Sequence, residues 1–179
     1  VALDESRKTD EALAVWDALV REFPASPRHA LDRAELRARV DPGPAAVEAL
    51  RELIRAYPDS SEALTARLML ARLQAHAGDA AGALAVAQPI ASDTNAPPAD
   101  RARAWLIIGA VEEVRTNLAA AAAALDRGRE LAIRTPAAAD VAFHRAGLRV
   151  RTGDLDAGRD LLPEAIQAHP PHPQGARTQ

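Results

Sequence analysis

The chain has 179 residues, 48% of them apolar and 26% charged, a balance that belongs to a globular protein and excludes a disordered one. A net charge of −3 gives no general attraction to nucleic acid or to an acidic membrane surface. Cysteine is absent, which excludes a disulfide framework, a thiolate metal site and a cysteine nucleophile.

Alanine dominates the apolar residues, aromatics make up 3%, and no stretch alternates as a strand would, so the expected fold class is all-α. The longest apolar runs, "AWLIIGAV" (104–111) and "LAAAAAAL" (118–125), are far shorter than the roughly 20 residues a bilayer span needs. The basic residues are Arg almost throughout, with Lys8 alone. The chain opens at Val1, and "VALDES" reads as the tail of a helix whose beginning lies upstream, so a fragment of a longer protein is expected.

In chain order, Ala12, Val15, Trp16, Leu19 and Phe23 form one helical stripe that Pro24 ends. Residues 28–40 predict a second helix, stopped by "DPGP" at 41–44. Val47, Leu50, Leu53, Ile54 and Tyr57 build a third stripe, stopped by Pro58, after which Asp59, Ser60 or Ser61 can cap the next helix. That helix runs to "AGD" (77–79), and another follows to about Ser92, before the polar turn "SDTNAPPAD". Further helices are predicted over 101–115, 118–134, 138–151 and 155–168. Pro89 and Pro163 fall inside two of them, where each should kink or restart the helix at a cost of roughly 3 kcal/mol.

The breaks within successive helix pairs, at Asp41, Gly78, Thr116 and Gly153, recur with a nearly constant period. The phrase "VREFPASP" at 20–27 likewise returns as "IRAYPDSS" at 54–61. A helix–turn–helix unit of this size cannot cover its own apolar faces, so such units stack into a solenoid.

The pattern resembles the tetratricopeptide repeat. Trp105, Ile108, Gly109, Ala121, Leu125 and Gly128 fall on that motif's positions 4, 7, 8, 20, 24 and 27. Ala146, Gly158, Leu162, Ala165 and Pro170 match in the last unit, Ala34, Ala46, Leu50, Leu53 and Pro58 in an early one, and Leu70, Ala71, Ala83 and Ala87 between them. Small residues belong at positions 8 and 20, where the two helices of a unit cross closest. Trp16, Leu50, Leu125 and Leu162 would fill the seam at position 24. Arg33 and Arg145 depart from the motif at position 7. The resemblance implies a right-handed α-solenoid over 1–170, with a half-repeat at 1–26, units at 27–60, 61–97, 98–135 and 136–170, and a disordered tail at 171–179. The text "YPDSSEALTARLMLARL" is also similar to repeats of bacterial envelope proteins, the TolA-binding coordinator and outer-membrane assembly lipoprotein groups. That likeness favours the periplasm or cell envelope over the cytoplasm.

The resemblance also implies a function. First helices line a concave groove, and position 5 is apolar every time: Leu31, Leu68, Leu106 and Phe143. Arg28, Glu35, Arg39, Arg72, His76, Arg103, Glu113 and Arg151 surround it. Such a groove suits a protein or peptide partner carrying acidic groups. Against this, the stripe can pack on neighbouring helices while the Arg residues are merely solvated. The expected role is a non-catalytic scaffold, the alternatives being an accessory domain of a larger enzyme or sensor and a module self-associating end to end through uncapped ends. No cofactor and no metal are expected. His169 and His172 in "HPPHP" read as linker residues, and His76 and His144 as wall or surface residues. Glu112–Glu113 reads as a solvated face, and no HExxH, GxSxG, GxxxxGK[ST] or GxGxxG occurs.

Overall fold

A computed structural model describes residues 2–133, 135 and 137–168, for 2–7, 9, 162 and 164–168 in backbone only. Among the described residues every regular element is a helix. The order is α1 (Ala2–Glu22), α2 (Pro27–Val40), α3 (Pro44–Ala56), α4 (Ser61–His76), α5 (Ala80–Ser92), α6 (Pro98–Val114), α7 (Leu118–Ala132), α8 (Ala138–Arg151) and α9 (Leu155–Ala168). The fold class is therefore all-α, of the helix–turn–helix repeat type expected from the period. The chain forms two compact units, Val1–Gly78 and Asp79–Gln179. His169, Pro170, His172 and the tail at 171–179 lie outside the described residues.

The turns explain the period. Gly78 and Gly153 close their helices at positive φ, 81° and 85°, where glycine carries no steric penalty. Thr116 stands in the same place at φ 61°, a conformation that costs a β-branched residue about 1–2 kcal/mol. Each is followed by a cap of the same kind. Asp79 accepts from Gly82 N–H (2.9 Å), Asn117 from Ala120 N–H (3.4 Å) and Asp154 from Ala157 N–H (3.1 Å). The first break is built differently: Asp41 is extended and Pro44 starts α3 at its first turn.

The recurring phrase is a recurring turn. Phe23 and Tyr57 each donate their N–H four residues back, to Leu19 O and Leu53 O, and each carbonyl accepts from the serine three residues on. Those serines then cap the next helix, Ser26 taking His29 N–H (3.4 Å) and Ser60 taking Ala63 N–H (3.0 Å). The Tyr57 hydroxyl donates to the Pro24 carbonyl, tying the second copy of the turn to the first.

In the first unit α2 packs on α1, α3 and α4, and α3 also packs on α4. In the second, α6 packs on α5, α7 and α8, while α8 also packs on α7 and α9. Ala34, Ala46, Ala71, Ala83 and Ala121 are fully or almost fully buried, as positions 8 and 20 require. Glycine serves twice where alanine would not fit. A Cβ on Gly109 would stand 2.9 Å from Leu125 Cγ, and one on Gly158 2.7 Å from Val150 Cγ2. Leu50, Leu53, Leu125 and Val141 are the largest fully enclosed side chains, each contributing about 1.5–3 kcal/mol by leaving water.

Three expectations change on packing. The α1 stripe is only partly covered: Ala12, Trp16 and Leu19 are half-buried, whereas Val15 and Phe23 are exposed, because α2 covers one side of that helix. Pro89 and Pro163 neither break nor restart their helices; both rings are exposed, where water can serve the carbonyl that loses its partner. Glu112 and Glu113 are not a solvated face. Glu112 is buried and accepts from Arg115 (3.0 Å) and from Asn117 Nδ2 (3.2 Å), bracing the Thr116 turn, and Glu113 is largely buried beside Arg151.

The two motif departures turn out to be one device used twice. Arg33 pairs with Asp17 of α1 (3.5 Å) and Glu52 of α3 (2.9 Å), and Arg145 pairs with Asp126 of α7 (3.0 Å). Both guanidinium groups are about 15% exposed, and both acids directly follow a position-24 residue, Trp16 or Leu125. Elsewhere position 7 holds Leu70 or Ile108, both buried.

Candidate functional site

The expected groove residues sit on the first helices of the pairs, α2 and α4 in one unit, α6 and α8 in the other. In the first unit α2 brings Leu31 and Arg39, and α4 brings Leu68, Arg72 and His76. Leu31 is 3% exposed and Leu68 7%, so both belong to the core rather than to an open floor. Arg39, Arg72 and His76 are exposed. Arg28 spends its charge on Asp32 of its own helix (3.0 Å). This face offers polar chemistry over an apolar layer that is already filled.

In the second unit the same positions are more open. Leu106 on α6 is half-buried and packs against two clusters, that of Ala102, Ala132, Ala137 and Val141 and that of Ala121, Leu125 and Leu148. Phe143, its counterpart on α8, is 54% exposed. Glu113 near the end of α6 pairs with Arg151 at the end of α8, which puts positions 12 and 13 of adjacent first helices on one face. Arg103 is exposed and paired with Asp100 (2.8 Å). Counting from Trp105 at position 4, Val114 takes position 13 and is 80% exposed. The sequence reading passed over Val114, although the position rule pointed to it. It also passed over the Arg33 and Arg145 pairs, since their acids lie at unequal distances along the chain.

Among the described residues no group of three His, Asp or Glu side chains could hold a metal ion, and no helix is long and apolar enough to cross a membrane. His29 is packed in the first unit between Trp16 (ring centroids 6.1 Å apart) and Phe23 (5.6 Å).

Residues 43–100 match the family model described as Tetratricopeptide repeat. That segment, about a third of the chain, is similar to the tetratricopeptide repeat. Solved structures with the same fold include the MamA RS-1 ArsTM double mutant, at 17% identity and a TM-score of 0.66, covering 92% of this chain and 86% of that one. MamA 41-end from Desulfovibrio magneticus RS-1 aligns at 16% identity and a TM-score of 0.66, covering 95% of this chain and 88% of its own. A further crystal structure of MamA gives 16% identity and 0.64, over 92% and 91%. At such identities the likeness is one of fold. No curated protein matches the chain. The matched segment contains α3, α4 and α5 and the turn at Gly78, so the repeat assignment rests on Ala46, Leu50, Ala71, Ala83 and Ala87, whose burial the geometry had already given.

Proposed function

We propose that this chain is a non-catalytic scaffold of tetratricopeptide-repeat type that binds a peptide segment of a partner protein on the face formed by the first helices of its second unit, α6 and α8. The observation carrying this reading is Phe143, an aromatic at a groove position that stays 54% exposed while Leu31 and Leu68, at the same motif position, are buried. Keeping a large ring in water is unfavourable by roughly 1.5–3 kcal/mol relative to covering it, and a partner side chain recovers that energy. Arg103 and Arg151 are paired with Asp100 and Glu113 but keep about half of their side chains exposed, so each can also meet an acidic group of a ligand that brings an apolar anchor. Of the acids on that face, Glu113 is engaged by Arg151 and Asp100 by Arg103, which supports a binding role over acid–base chemistry.

The test is photocrosslinking from position 143 in a lysate, followed by affinity measurement on the peptide recovered. Phe143→Ala and Arg103→Glu, both at exposed positions, should each weaken that binding about tenfold with the helical circular dichroism unchanged. Unaltered affinity in both variants refutes the reading. Leu68→Asp and Leu106→Asp are unsuitable probes, because both side chains are part of the packing that holds the helices together.

A further inference from the structure

Within the second unit the α8–α9 hairpin is tight inside and lightly tied to α6 and α7. Inside, α8 and α9 cross so closely that a Cβ on Gly158 would stand 2.7 Å from Val150 Cγ2 and 3.2 Å from the Ala146 carbonyl. Towards α6 and α7, two buried side chains of α8 serve as apolar anchors. Val141 enters the cluster of Ala102, Ala132 and Ala137, and Leu148 enters that of Ala121 and Leu125. The remaining ties are ionic: Arg145 pairs with Asp126 of α7 (3.0 Å), and Arg151 pairs with Glu113 of α6. Leu155, at the start of α9, is 64% exposed and adds little hold.

One repeat earlier the same motif position is treated differently. Position 7 of α6 is Ile108, which is buried, so that point of the helix is held by apolar contact. On α8 the charge of Arg145 takes its place, and Asp126, which receives it, is 56% exposed. Arg151 is likewise 58% exposed. Pairs with one member in water weaken as salt screens them, the Debye length falling from about 10 Å at 0.1 M to about 3 Å at 1 M. Burial of an Ile is not screened in this way. Arg33, the other charged position 7, is held from two helices, by Asp17 of α1 and Glu52 of α3.

We propose that α8–α9 opens from α6–α7 as one body, ahead of the unfolding of those helices, and that ionic strength sets how often it does so. Two apolar anchors leave much of the hold on the ion pairs, so screening them favours the open state. The close crossing at Gly158 keeps α9 with α8 when the seam parts. Phe143 travels on α8 while Arg103 stays on α6, so opening separates the two sides of the face that binds peptide. That consequence rests on the proposed peptide face; the opening itself does not.

The test is native-state hydrogen exchange on the whole chain in about 0.05 M and about 0.5 M NaCl, read helix by helix by mass spectrometry. Amides of α8 and α9 should share one level of protection, about tenfold or more below that of α6 and α7. At the higher salt they should lose a further three- to fivefold or so, while α6 and α7 change less than about twofold. Arg145→Leu gives α8 an apolar residue at position 7; it should slow exchange in both helices and remove most of the salt effect. Asp126→Asn should speed exchange of both at low salt. Simple fraying of α9 would spare α8 and ignore both substitutions. Equal protection from α6 to α9, exchange of α9 without α8, or an undiminished salt effect in Arg145→Leu overturns the proposal. A failed Phe143 crosslink with these exchange results intact would refute the peptide face and leave the opening in place.

Discussion

The two units treat the same motif position in opposite ways. At position 5, Leu31 and Leu68 of the first unit lie under their neighbours, while in the second Leu106 is half-covered and Phe143 stands in water. The residue type is apolar throughout, so composition alone would assign all four one role. What differs is the company each keeps: Leu106 is shared between two clusters around α8, whereas Phe143 borders an open cavity between α8 and α9. A motif position specifies a direction from the helix axis; the next element decides whether that direction ends in protein or in solvent.

The contrast can be broken most directly at those residues. Leu31→Ala should cost about 2–5 kcal/mol in urea unfolding followed by circular dichroism, whereas Phe143→Ala should stay within about 0.5 kcal/mol. Comparable losses would erase the distinction. The glycines sharpen it next. Gly109→Val should destabilise by about 1–3 kcal/mol, since even a Cβ would stand 2.9 Å from Leu125. Gly147→Ala, on the open side, should instead stabilise by about 0.5–1 kcal/mol through helix propensity. Asp17→Asn in the first unit removes the partner of both Arg33 and Arg37 and should cost about 1 kcal/mol, less at high salt. A salt-independent loss would assign that site to packing rather than charge. Thr116→Gly, which exchanges a strained left-handed threonine for the residue found at 78 and 153, should likewise gain about 0.5–1 kcal/mol.

Much of the fold was legible because the signals are local. Pro24, Pro58 and the Gly78 and Gly153 turns punctuate the chain wherever they occur, and Ser60 caps its helix through a bond only three residues long. The small residues at positions 8 and 20 were equally readable, since a close crossing tolerates nothing larger. The candidate site was less so. Arg33 and Arg145 read as departures from a motif, and Glu112 as a solvated acid, because each is explained by a partner whose position depends on how helices pack. Arg145 lies on a different helix from Asp126, and no spacing rule joins them.

The amino-acid order by itself determined that this chain is helical, where each helix starts and stops, and that its pairs recur; those properties depend on backbone dihedrals, caps and the 3.6-residue period, all set within a few positions. Tertiary packing alone decided which apolar residues became core, which acids were enclosed, and why Phe143 and Leu155 stayed uncovered. Burial is a property of what lies opposite a side chain, and nothing in a residue's own neighbourhood along the chain encodes that.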